Sequence, residues 1–151
     1  MKLNLGCADD HLAGFVNVDL VEPADVIMDL SQPWLWPDGY ADEIVAHDII
    51  EHLPDKILTM NEAWRVLRPG GRLNIEVPTT DGRGAWQDPT HCSYWTPNDF
   101  KYYTHGDNHR ERFGAPYGVR ARFRVLSQAH RLVGPVADNI WKLQIVMEAV
   151  K

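Results

Sequence analysis

Three acids stand at the ends of short apolar runs, and their placement is the first chemical signal in this chain. Residues 3–5 run into Gly6-Cys7-Ala8, 15–18 into Asp19, 24–28 into Asp29-Leu30, 44–46 into His47-Asp48, and 73–77 into Pro78. A carboxylate after a strand can accept hydrogen bonds from both hydroxyls of a ribose, and Asp19 is placed for that role. Asp29 either meets the base of the same ligand or caps a following turn, and Asp48 either lines the pocket or caps the turn before a helix. Gly6 is a close-approach position for a ligand or a plain turn.

A second group lies further along. Asp88 and His91 sit among Trp86, Tyr94 and Trp95. Aromatic rings around a carboxylate and an imidazole suit a substrate pocket. His91 is the candidate general base, with Asp88 beside it; the plainer reading is a loop clasp, Asp88 capping a turn and His91 bonded to backbone. His105 and His109 are weaker candidates. His47, Asp48, Glu51 and His52 invite a metal reading, but HExxH is absent, and HxxEH would need a histidine where Asp48 stands. The expectation is that there is no metal. Arg120, Arg122 and Arg124 alternate and so share one face of a strand, with Arg110 and Arg112 nearby. They would meet an anionic substrate or, the preferred reading, form a solvated face.

The elements that must position these residues follow from the spacing. Each of the first four runs is brief and aliphatic or β-branched, as a buried parallel strand is. Residues 55–67 predict a helix, with Ile57, Met60, Trp64 and Leu67 on one face, Pro54 and Asp55 at its start, and Pro69-Gly70-Gly71 as its stop. Leu73, Ile75 and Val77 alternate as a fifth strand. Residues 78–120 are rich in Gly, Pro, Asp, His and aromatics with little periodicity, and read as a substrate lid or loop insertion with one short helix at 98–103. Residues 121–133 and 140–150 read as two long strands joined by a connection too short for anything but an antiparallel hairpin. The expected fold class is α/β: a Rossmann-like, doubly wound, mostly parallel sheet with an antiparallel C-terminal hairpin, in a single domain over 1–151.

Composition sets the outer bounds. The chain has 151 residues, 44% hydrophobic and 24% charged, with a net charge of −6. That is enough chain for one self-sufficient core. The acidic balance repels polyphosphate and argues against nucleic acid as a partner. The two cysteines, Cys7 and Cys92, form no CxxC or disulfide framework. The N-terminus shows no apolar leader segment, and no run approaches the ~18 apolar residues of a membrane span. A cytoplasmic protein that makes no membrane contact is expected; the oligomeric state is not readable.

A dinucleotide would require a glycine-rich turn feeding a helix N-terminus. Only residues 7–14 separate Gly6 from Phe15, too few for a full crossover helix, and Asp9 and Asp10 would repel a pyrophosphate. A ligand with ribose and adenine but no phosphate is favoured. S-adenosyl-L-methionine fits, because an acidic site tolerates its sulfonium and ammonium cations.

The ordered set of segments resembles the class I S-adenosylmethionine-dependent methyltransferases, in a form with a short first crossover. Leu3-Asn4-Leu5-Gly6-Cys7 is similar to their first motif. Phe15-Val16-Asn17-Val18-Asp19 is similar to the second strand with its ribose-binding acid, and Ala24-Asp25-Val26-Ile27-Met28-Asp29-Leu30 to the third, whose end meets adenine. Trp36-Pro37-Asp38 with Asp42-Glu43-Ile44-Val45, then Asp48-Ile49-Ile50-Glu51-His52-Leu53, then Arg65-Val66-Leu67-Arg68-Pro69-Gly70-Gly71 continue the likeness. It is strong over residues 2–78 and weaker at Asp88-Pro89-Thr90-His91 and in the hairpin. The resemblance implies a seven-stranded sheet with its last strand antiparallel. It implies a cofactor contacted by Gly6, Cys7, Ala8, Asp19, Asp29, Leu30, His47 and Asp48, and a structural role for Glu51 and His52. It further implies in-line methyl transfer; the acidic balance and the lack of room for a separate substrate domain make a small molecule or a saccharide the expected acceptor. Ala8 departs from the family's second glycine, and this motivates the alternative of a catalytically inactive binding or regulatory module. A nicotinamide-dependent oxidoreductase is disfavoured by the missing GxGxxG.

Overall fold

Seven strands assemble into one sheet in the computed structural model, which describes residues 1–151. They are β1 (Lys2–Leu5), β2 (Val16–Asp19), β3 (Val26–Ile27), β4 (Ala41–His47), β5 (Leu67–Pro78), β6 (Phe123–Val133) and β7 (Ile140–Ala149), in spatial order β3-β2-β1-β4-β5-β7-β6. β3, β2, β1, β4 and β5 are parallel neighbours, while β7 runs antiparallel to both β5 and β6. The Rossmann-like α/β architecture and the antiparallel hairpin are therefore as the spacing predicts. The order reverses at β1, where β2 leaves to one side and β4 lies on the other. That is the switch point at which open α/β sheets bind ligands.

The strands form because alternate residues have an apolar face to bury. Leu3 and Leu5, Ile44 and Ala46, Leu73, Ile75 and Val77, and Leu143, Ile145 and Met147 are all buried and lie on one side of the sheet. Helix α1 (Lys56–Val66) sends Met60, Ala63 and Val66 into the same core. Asp55 caps this helix, its carboxylate accepting from the Ile57 and Leu58 amides at 2.9 Å each. Such a cap contributes about 1 kcal/mol.

The connections of the first half are sparse. Residues 6–15, 20–25 and 28–40 contain no helix. In place of a first crossover helix, the 6–15 loop is pinned to the sheet's second face by a buried amide pair. Asn4 donates to Asn17 (3.0 Å) and to the Asp10 carbonyl (2.8 Å), while the Asn17 carbonyl oxygen accepts from the Leu12 amide (2.9 Å). The 28–40 loop is clamped from α1. Glu62 and Arg65 form a bidentate pair, Glu62 also accepts the Trp34 amide, and Arg65 donates to the Trp34 and Trp36 carbonyls.

Residues 78–120 hold more structure than their composition suggests. They carry α2 (Gly84–Gln87), a 3₁₀ segment Pro97–Tyr103 and α3 (Asn108–Tyr117). Trp95, Phe100 and Tyr103 belong to the main core, whereas Trp86 and Tyr94 stack on each other in solvent. The segment is thus anchored in the domain and exposes only part of itself. Arg120 and Arg122 precede β6 rather than lying in it, and Arg124 pairs with Glu148.

Candidate active site

Two cavities open side by side at the carboxyl ends of β1, β2, β4 and β5, and His52 lines both. The first has a volume of about 240 Å³. It is lined by Gly6, Asp19, Met28, Asp29 and Leu30 from the first three strand ends, with Ile49 and Leu53 from the segment after β4 completing it. The Asp19 carboxylate is held by the turn it serves, one oxygen accepting the Ala8 amide (2.9 Å) and the other the Leu20 amide (2.7 Å). Each oxygen keeps a second lone pair for a ligand hydroxyl. Asp29 accepts the Ser31 amide (2.9 Å), and hydrogen bonding to Ser31 holds its carboxyl below the usual range. Both acids therefore enter the cavity as fixed carboxylates.

The turn after β1 is tight. Gly6 has φ +65°, and a Cβ built there would lie 2.6 Å from Ile49 Cβ. The space beside its Cα is filled by Ile49 of the same chain, so the glycine is required by packing as well as by backbone conformation. Ala8 also sits in the left-handed region, at φ +41°. The resemblance leads one to expect a glycine here, and Ala8 adopts the conformation that glycine would take freely. Cys7 is buried, and burial first, then Asp19, pushes its thiol up. It faces the interior rather than the cavity.

The second cavity, of about 260 Å³, is polar: Asp48, Glu51, His52, Gln87, Asp88, His91 and Lys142 line it. Here Asp88 and His91, 37 residues or more beyond Glu51 in sequence, come to lie against Glu51 and His52. Cys92 and Ser93 amides donate to the Glu51 carbonyl, and Ser93 Oγ to the Ile50 carbonyl, which ties the 88–93 loop to the segment after β4. The His52 and His91 rings meet edge to face, centroids 4.8 Å apart. Asp88 accepts from the Thr90 hydroxyl (2.7 Å) and amide (2.8 Å), which hold its carboxyl low. Glu51 is 2% exposed, and burial pushes its carboxyl up to about 8. One of its oxygens, Oε2, is buried and has no hydrogen-bond partner.

The other sequence candidates fall elsewhere. β4 extends through His47, and strand alternation turns that ring to the face opposite the core, in register with Glu76. His47 lines neither cavity. Asp48, at φ +49°, lines the second cavity rather than the first and is paired with Lys142 and not with a ribose-type ligand's place. Ala8 reaches the site only through its amide on Asp19. Behind the first cavity, Trp34 is buried with its indole N–H on the Leu30 carbonyl (3.1 Å). His109 is tied to Asp107 on α3. Met28, Ser31, Ile49 and His52 are cavity residues that sequence reasoning missed. The Ile49-to-Leu53 stretch carried a signal, since it follows a strand end directly.

Comparison with known proteins agrees with this fold. Residues 10–75 match the family described as "Methyltransferase domain". A Mycolicibacterium smegmatis protein named "Probable S-adenosylmethionine-dependent methyltransferase" is 37% identical over 59 residues, which cover 36% of this chain and 23% of that protein. This chain thus spans about a quarter of the length of the curated relative it matches. Among solved structures, a Bacillus halodurans protein described as a methyltransferase superposes with a TM-score of 0.68 at 13% identity, covering 99% of this chain and 92% of that one. Burkholderia thailandensis 1,6-didemethyltoxoflavin-N1-methyltransferase, solved with bound 1,6-didemethyltoxoflavin and S-adenosylhomocysteine, superposes at 0.65 with 18% identity, covering 99% of this chain and 71% of that one. The chain has the fold of S-adenosylmethionine-dependent methyltransferases, and the family match is confined to residues 10–75.

Proposed function

We propose that the chain is an S-adenosylmethionine-dependent methyltransferase whose acceptor is a small molecule or a saccharide. The observation that carries this reading is the pair of adjoining cavities at the switch point, one with two fixed carboxylates over an apolar floor and the other polar. Gly6, Asp19, Asp29, Leu30 and Ile49 would hold the cofactor, Asp19 at the ribose hydroxyls and Asp29 near the base. The bound cofactor supplies a methyl group already activated by a sulfonium. The chain's own work is then to align the acceptor, exclude water and manage one proton.

The second cavity lies on the far side of His52 from the first, which is where an acceptor would face the methyl group. Its aligned acids, imidazoles and Lys142 suit a hydroxylated compound rather than a bulky apolar one. Asp88 and His91 are the residues of that wall set to take or hold the acceptor proton, and residues 78–120 supply most of the selectivity. A radiolabelled-methyl transfer assay against a panel of sugars and small hydroxylated or amine compounds tests the proposal. Label should pass to at least one acceptor, with transfer reduced about 100-fold in His91→Ala, the scale of a lost general base. Cofactor binding without transfer to any acceptor would favour the inactive binding module instead.

A further inference from the structure

Glu51, His52 and His91 do not fit together as a purely hydrogen-bonded group. His91 Nδ1 lies 3.0 Å from the Ala85 carbonyl, which can only accept, so Nδ1 carries the proton and Nε2 is left as a lone pair. Thr90 spends its hydroxyl proton on Asp88, and the same oxygen lies 3.0 Å from His52 Nδ1. His52 Nδ1 is therefore also the protonated nitrogen, and its Nε2 is a second lone pair. Glu51 adds a buried carboxyl with an unpartnered oxygen. Two imidazoles and this carboxyl thus meet with no hydrogen bond joining them. A cation taking the place of the Glu51 proton would satisfy all three at once.

We propose that Glu51, His52 and His91, with Asp88 as the outer ligand, form a binding site for a divalent transition-metal ion on the acceptor side of the pocket. One candidate ligand atom from each of Glu51, His52 and His91 lies within 4.8 Å of the others. His91 Nε2 is 4.0 Å from Glu51 Oε1 and 3.9 Å from Asp88 Oδ2. Around an ion with bonds of about 2.1 Å, ligand atoms stand roughly 3–3.5 Å apart, so the side chains need to close by roughly 0.5–2 Å. Both imidazoles are held through Nδ1 by an oxygen, the outer arrangement that orients ligating histidines in metal sites. Two imidazoles and carboxylates favour Zn²⁺, Mn²⁺, Fe²⁺ or Co²⁺ over Ca²⁺ or Mg²⁺. The ligands come from two segments, 51–52 and 88–91, so their sequence spacing matches no contiguous metal motif.

The ion's role rests on the methyl-transfer reading; its binding does not. Beside the first cavity, the ion would take an acceptor hydroxyl as a ligand and lower that hydroxyl's pKa, its proton leaving to water; with the ion bound His91 is a ligand, and the proton-taking role given to it above applies to the metal-free chain. The test is a Co²⁺ titration of the chelator-treated full chain, followed by visible absorption, with Zn²⁺ competition and an S-adenosylhomocysteine titration run alongside. One equivalent of Co²⁺ should bind with d–d bands of low coordination number and be displaced by Zn²⁺. His91→Ala and Glu51→Gln should each weaken binding at least tenfold while keeping the unfolding midpoint within a few degrees, and the surface control His109→Ala should leave it unchanged. Failure of the folded chain to bind Co²⁺ or Zn²⁺ at millimolar concentration, or binding that His91→Ala leaves intact, overturns the site. Metal binding without S-adenosylhomocysteine binding would keep the site and refute the methyltransferase reading; the reverse result would do the opposite.

Discussion

Two neighbouring residues in the first turn have opposite relations to their backbone. Gly6 occupies a left-handed conformation with Ile49 where a side chain would go, while Ala8 occupies one with a Cβ attached. Gly6→Ala should therefore lower stability by about 3 kcal/mol, from left-handed strain and overpacking together. Ala8→Gly should raise it by about 0.5–1 kcal/mol, because relief of strain outweighs the added flexibility of the unfolded chain. Urea unfolding of both variants checks the pair, and a destabilised Ala8→Gly would mean that the turn is not strained. At this scale the sequence was informative where a residue's role depends on its own segment. Asp19 and Asp29 could be placed beside the cavity because one ends a strand and the other follows one closely. His47 was misplaced because β4 continues through it, and one residue of strand is enough to exchange faces. The Glu51, His52 and His91 constellation was hidden because its third member arrives from a loop that spacing cannot fold.

Among the elements, the loop at residues 28–40 illustrates how the chain holds a long connection that contains no helix. Its geometry depends on the Glu62–Arg65 pair of α1, which lies under the loop and accepts or donates at Trp34, Trp36 and Asp38. Hydrogen bonding to Arg65 holds the Glu62 carboxyl below its ordinary value. A carboxyl lowered in the folded state stabilises the fold above the unfolded-state value of about pH 4.3, and that contribution fades as the pH falls below it. The urea midpoint should drop as the pH goes from 5 toward 3, and Glu62→Gln should both flatten that drop and cost about 2 kcal/mol at neutral pH. An unchanged acid limb in the variant would place the clamp elsewhere. The strands, α1 and the hairpin were legible because each carries a clear apolar period. α3 was not: Asn108–Tyr117 contains Gly114 and Pro116, little of it is buried, and its start is marked only by Asp107 accepting the His109 amide. β3 shrank to two residues because only Val26 and Ile27 pair with β2.

Taken whole, the molecule is a sheet with one apolar face and one polar face. Across the second face, Lys2, Glu43, Arg72, Glu148 and Arg124 stand in register on β1, β4, β5, β7 and β6, alternating in sign. Lys2 pairs with Glu43 at 2.9 Å and Arg124 with Glu148 at 3.0 Å. Cross-strand pairs of opposite charge support a sheet face that helices do not cover. No helix is long and apolar enough to cross a membrane. What the fold preserves is the switch point, with Gly6, Asp19, Asp29 and His52 around one cavity and the acceptor-side cluster around the next. On the proposed function, this first cavity holds the cofactor. Calorimetric titration of S-adenosylhomocysteine into the purified chain and into Asp19→Ala is the deciding measurement. Binding should be micromolar, and Asp19→Ala should weaken it ten- to a hundredfold, the loss expected for hydrogen bonds to a charged acceptor. No heat of binding at millimolar ligand, or equal affinity in the variant, would contradict it.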